Sequence, residues 1–133
     1  MEQHLRVVLP PEPKAVGVAR AGVAGLEFAM PEDVGNDVTL LVSELVTNAV
    51  KFAGLRNDER IRLDIRCHPE RVEVMLHYQE HNEFDPALPL GPGDTSGWGL
   101  FLVDRLADHW SIVQTDGVLE AWFEVELPAA KAA

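Results

Sequence analysis

The hydrophobic positions along the chain change period about halfway. Over residues 12–28, Val16, Ala19, Val23 and Leu26 recur at helical spacing, which predicts a helix weakened by Gly17, Gly22 and Gly25. Pro31 suits the first position of a second helix, where Glu32 and Asp33 complement the dipole, and Gly54 stops that helix after Phe52. Ahead of both, residues 4–9 read as a short strand closed by Pro10-Pro11.

Beyond residue 60 the period falls to two. Ile61, Leu63 and Ile65 alternate with Arg62, Asp64 and Arg66, and Val72, Val74 and Leu76 repeat the pattern after a turn at His68-Pro69-Glu70. Residues 78–95 carry Pro86, Pro89, Gly91, Pro92 and Gly93 and read as one long loop, a length that in a compact domain points to function. A short helix over residues 99–107 turns Leu102, Val103 and Leu106 inward. Two closing strands flank Asp116-Gly117, a strong hairpin signal. In the last strand Leu119, Ala121, Phe123, Val125 and Leu127 alternate with Glu120, Trp122, Glu124 and Glu126. The expectation is an α+β two-layer sandwich, a mainly antiparallel sheet covered on one face by helices. It occupies a single domain over residues 1–128, with an Ala-rich tail over 129–133 expected to be disordered.

Composition narrows the class. With 133 residues, 47% hydrophobic and 25% charged, the chain suits one ordinary globular core. No apolar run approaches the ~20 residues of a bilayer span, so no membrane partner is expected. Met1-Glu2-Gln3-His4 lacks the basic start of a signal peptide. Cys67 is the sole cysteine, so no internal disulfide can form, and a cytoplasmic protein is expected. Twenty-two acidic against 11 basic residues give a net charge of -11, which repels a phosphate backbone. Arg60, Arg62, Arg66 and Arg71 are interleaved with acids and form no basic stripe. Nucleic acid is excluded on this reading; a protein with a basic patch fits better.

The candidate chemistry lies on the second helix. Glu44, Thr47, Asn48 and Lys51 stand at i, i+3, i+4 and i+7 and so share one face. Leu41, Val42, Leu45, Val46, Ala49 and Val50 make most of the remaining surface apolar, so the polar stripe should line a cleft. A carboxylate one turn from an amide oxygen is a fair ligand pair for Mg²⁺, and Glu44 could instead orient or deprotonate a hydroxyl. A second signal is Thr95-Ser96-Gly97-Trp98-Gly99-Leu100, glycines entering a helix N-terminus where backbone amides can approach phosphate. The P-loop and the Rossmann pattern are both absent.

Together, Ser43-Glu44-Leu45-Val46-Thr47-Asn48-Ala49-Val50-Lys51, the glycine pair and the closing Ala121-Trp122-Phe123-Glu124 strand resemble the histidine-kinase-like ATPase fold. The likeness spans nearly the whole chain and is to the small anti-sigma-factor serine/threonine kinases of actinobacterial type. That resemblance implies an ATP-Mg-binding regulator that phosphorylates a protein antagonist and sequesters a sigma factor. A non-catalytic protein-binding module on the same fold is the alternative, and self-association into a homodimer is left open. It also implies Glu44 as catalytic base or water-positioning group, Asn48 on Mg²⁺ and Lys51 near the phosphates. Thr95, Ser96, Gly97, Gly99 and Leu100 would form the lid. The family's Asp-x-Gly-x-Gly adenine box is altered: aligned on Phe84-Asp85-Pro86, its three positions hold Gln79, His81 and Glu83. Gln79 would then accept the adenine amino group. Glu120 stands where the family places Ser or Thr.

Other residues weigh less. His77 and His81 around Glu80 lack the spacing of a zinc helix and are read as loop histidines. Cys67 is read as a buried, idle thiol, and Trp98 and Trp122 as packing or partner-contact aromatics.

Overall fold

The computed structural model describes residues 2–26, 30–82 and 98–128, and the side chains of all of these except 98–101. The elements run β1 (Gln3–Leu9), α1 (Lys14–Ala24), α2 (Glu32–Phe52), β2 (Ile61–Cys67), β3 (Arg71–Gln79), α3 (Trp98–Leu106), β4 (His109–Thr115) and β5 (Val118–Glu126). The five strands form one sheet in the order β1-β2-β3-β5-β4, every neighbour antiparallel. Alternation places Ile61, Leu63, Ile65, Val72, Val74 and Leu76 on the inner face, all fully buried. They share one core with Ala15, Ala19 and Val23 of α1 and Val38, Leu41 and Val42 of α2. The helices therefore cover one face, and the architecture is the expected α+β sandwich.

Local chemistry explains the element ends. α1 is shorter than its apolar spacing predicts: it starts after Pro13 and ends at Ala24, with the Gly25 N–H capping back to the Ala21 carbonyl and the Leu26 N–H to that of Val23. Proline cannot donate from within a helix, and the closely spaced glycines weaken propagation beyond Ala24. α2 runs 21 residues, as predicted, and ends before Gly54, whose φ of +73° breaks the helix at no Cβ cost. The hydroxyls of Thr39, Ser43 and Thr47 donate to the carbonyls of Gly35, Thr39 and Ser43, so these polar side chains are satisfied within their own helix. Asp116 and Gly117, at φ 51° and 80°, build the β4–β5 hairpin with both central residues left-handed, the form that matches strand twist.

β3 is the main departure. The apolar alternation to Leu76 placed residue 78 at the start of a loop, yet pairing with β5 continues through Tyr78↔Leu119 and Gln79↔Val118. Tyr78 is buried, so the strand gains a fourth inward position that a phenol disguises in the sequence.

Candidate functional site

The polar stripe of α2 is resolved into unequal parts. Glu44 and Asn48 are half-buried, while Lys51 is exposed. Neither Glu44 nor Asn48 forms a hydrogen bond to another described residue. Thr47 spends its hydroxyl on the Ser43 carbonyl at 2.6 Å, so it leaves the stripe as a free ligand. What remains is a carboxylate and an amide one helical turn apart, both partly shielded and both unclaimed among the described residues.

The end of β3 is tied to the end of α2. His81 N–H donates to the Ala53 carbonyl at 2.8 Å, and Asn82 Nδ2 donates to the Phe52 carbonyl. Both bonds serve carbonyls that the last turn of a helix leaves without partners. A Cβ at Gly54 would stand 3.2 Å from Asn82 Nδ2 and 3.3 Å from His81 Cβ, so glycine is what allows this close approach. His81 Nε2 lies 2.7 Å from Glu59 Oε1. The Arg56 N–H holds the Glu59 carboxyl below its ordinary range against opposing burial, and His81 adds to that effect.

This junction fixes the direction of the next side chain back along the strand. Inward positions run Val72, Val74, Leu76, Tyr78 and then Glu80, which is 9% exposed and is the charged residue buried among the described ones. Its backbone is held on both sides: the N–H donates to the Gly117 carbonyl at 2.7 Å, and the carbonyl accepts from Gln114 Nε2 at 3.4 Å. Burial pushes the Glu80 carboxyl upward, with His81 offsetting only part of the effect. The neighbouring Tyr78 phenol is also driven far up, first by its own burial and then by the Glu80 charge. No described hydrogen bond reaches the Glu80 carboxylate.

Gln79, by contrast, is exposed on the face away from the helices. The inward acid is therefore Glu80, one position beyond the residue chosen from the Phe84-Asp85-Pro86 alignment. Period two, continued from Val72 through Tyr78, reaches Glu80 and was the signal available in the sequence. Glu120 also faces outward, 3.8 Å from His77. Gly99 and Leu100 fall in the first turn of α3, which packs against α2. Thr95, Ser96, Gly97 and Glu83 lie outside the described residues. Cys67 is buried and its thiol is pushed up by desolvation, consistent with an idle side chain.

The sheet backed by helices thus carries a half-buried Glu–Asn pair on α2 and an inward carboxyl just beyond β3. The chain belongs to the histidine kinase-like ATPase domain family, which it matches over residues 9–123. It is 28% identical over 130 residues to serine-protein kinase RsbW of Oceanobacillus iheyensis, covering 87% of this chain and 82% of that protein. Against serine-protein kinase RsbW of Bacillus velezensis it is 30% identical over 135 residues, covering 89% and 82%. A solved structure of the RsbU and RsbW domains of Rv1364c from Mycobacterium tuberculosis superposes with a TM-score of 0.68 at 18% identity. That match covers 94% of this chain and 32% of the other, a likeness that shows the fold.

Proposed function

We propose that this protein is an anti-sigma-type regulator that binds ATP with Mg²⁺, phosphorylates a serine or threonine of a protein antagonist, and sequesters a sigma factor in the cytoplasm. The observation that carries this reading is the unclaimed, half-buried Glu44–Asn48 pair, in a family whose similar relatives bear the name serine-protein kinase. ATP supplies the phosphoryl group. Asn48 offers an amide oxygen of the hard type Mg²⁺ prefers. Glu44 takes the proton of the incoming hydroxyl as that oxygen bonds to the γ-phosphorus and the bond to the bridging oxygen breaks, releasing ADP. Glu80, rather than Gln79, is the residue we assign to the amino group of the base, since its carboxylate can accept that hydrogen bond from within the sheet. Lys51 and the segment Thr95, Ser96, Gly97, Gly99 and Leu100 serve the phosphates.

One observation supports the alternative of a non-catalytic binding module. His81 carries a side chain engaged with Glu59, at a position where the resemblance expects a glycine that lets backbone approach the base. Titration calorimetry with ATP and ADP, with and without Mg²⁺, separates the two. Mg²⁺-dependent binding at micromolar nucleotide supports the kinase; heat-silent mixing at millimolar nucleotide leaves the binding module.

A further inference from the structure

The two edges of the sheet are unequally guarded. At one edge β1 packs against α1, its exposed His4 and Arg6 are held on Asp64 at 3.2 and 2.7 Å, and Pro10-Pro11 closes it. Proline, charge and a covering element are the usual means of blocking an edge. At the other edge β4 carries no proline, lysine or arginine, and it pairs with β5 in unbroken register from His109 to Thr115. Trp110, Ile112, Val113 and Thr115 suit an extended strand, and Val113 is 52% exposed. No described strand lies beyond β4. Hairpin geometry identifies the free backbone groups. Thr115 and Val118 flank the two-residue turn and exchange both hydrogen bonds, as do Val113 with Glu120 and Ser111 with Trp122 in the alternating antiparallel pattern. Trp110, Ile112 and Gln114 therefore turn their N–H and C=O groups away from β5. Among the described residues, no backbone hydrogen bond from outside the sheet reaches them.

We propose that β4 accepts an extended basic segment of a partner protein as a sixth, antiparallel strand. Charge selects that occupant. Residues 106–126 hold Asp108, Asp116, Glu120, Glu124 and Glu126 and no lysine or arginine. Arg71 reaches Glu124 at 2.9 Å from β3, whereas Glu120 and Glu126 have histidines as ion partners, at 3.8 and 3.5 Å. Register then dictates the pattern of the added strand. Residues opposite Trp110, Ile112 and Gln114 exchange backbone hydrogen bonds with them and point to the helix side, where Trp110 and Ile112 are half-buried against the core. Apolar side chains fit there. Residues opposite His109, Ser111, Val113 and Thr115 point outward, two strand spacings or about 9.5 Å from the glutamates of β5. Lysine or arginine spans that gap over Ser111 and Val113, while an acidic segment is repelled. A second copy of β4 would bring its own acidic rim, in a chain of net charge -11, so the same field disfavours self-pairing. The contact needs no bound nucleotide and stands apart from the kinase reading.

The test uses the full chain and a fluorescein-labelled peptide of seven residues, like β4, that alternates lysine with valine and has lysine at both ends. Fluorescence polarisation should show binding. N-methylating the three valines removes the donors aimed at β4 and should weaken binding by at least about tenfold. N-methylating the lysines, whose N–H groups face solvent, should change it by less than about twofold. Replacing the lysines by glutamate should abolish binding, and Val113→Lys, which places a like charge opposite the peptide, should weaken it severalfold. In amide exchange followed by NMR, Trp110, Ile112 and Gln114 should exchange fast in the free chain and become protected with peptide. No binding, or equal binding of both N-methylated peptides, would overturn strand addition and leave at most a diffuse charge attraction. Binding of the glutamate peptide as tight as that of the lysine peptide would overturn the basic occupant. Amides of those three residues already protected in the free chain would show the edge covered; protection that rises with protein concentration alone would assign it to a second copy. Either result sinks the proposal.

Discussion

The proposed function divides the chemistry of the site between three side chains, and each can be tested apart from the others. Glu44→Ala should lower phosphoryl transfer by at least about 10²-fold with nucleotide affinity nearly unchanged, as expected for a group acting on the hydroxyl proton. Transfer equal to wild type would remove Glu44 from that role. Asn48→Ala should bind nucleotide equally with and without Mg²⁺ in calorimetry; persistent Mg²⁺ dependence would place the metal elsewhere. Glu80 makes a prediction that needs no ligand. Its carboxyl is raised in the folded state above the ordinary 4.5, so folding favours the protonated form. The stability it contributes is therefore complete at acid pH and is lost as pH rises through the folded value. Glu80→Gln should melt higher than wild type in neutral solution, with the gap closing toward pH 4.5. Parallel melting curves across that range would show that the carboxyl is not desolvated. At this scale the sequence was only partly legible. The polar stripe of α2 was legible from spacing, but the inward position of Glu80 was not read. Alignment on Phe84-Asp85-Pro86 counted backward to Gln79, whereas the strand's own alternation, counted forward from Val72, reaches the buried Glu80.

The elements were read most surely where one local rule governs. The length of α2, the Asp116-Gly117 hairpin and the pleat of β5 all follow from periodicity or turn chemistry that neighbours do not override. The extent of β3 was not legible, because tertiary contacts decide its end. β3 reaches Gln79 only through pairing with β5, and its continuation is set by bonds to the last turn of α2. That junction is the element-scale test. Gly54→Ala forces a left-handed backbone on a residue with a Cβ and presses it toward Asn82, so it should cost about 1–2 kcal/mol in denaturant unfolding. It should also weaken nucleotide binding, because the strand that aims Glu80 is anchored there. A variant as stable as wild type would show that the α2–β3 tie contributes little.

For the whole molecule, charge organises what hydrophobicity leaves open. The core is shared by both layers and centred on residues such as Phe123, so Phe123→Ala should cost about 3–5 kcal/mol and lower the melting of the entire domain in one transition. A two-step melt would mean that helices and sheet unfold separately. The outer face contributes little to that core, which is why alternation alone predicted it as solvent and nothing more. Only the strand order β1-β2-β3-β5-β4, invisible in the linear sequence, sorts its arginines to one side and its glutamates to the other.

The inward carboxyl at the end of β3 has a consequence for the protein's life in a cell. A domain that must keep an unmatched ion out of water opens more readily at that spot, and proteases sample such openings. Nucleotide seated beside Glu80, as proposed, would close them by mass action, since it binds the folded state alone. On that reading the protein's resistance to proteolysis rises with nucleotide concentration, which limited digestion with and without ATP would show.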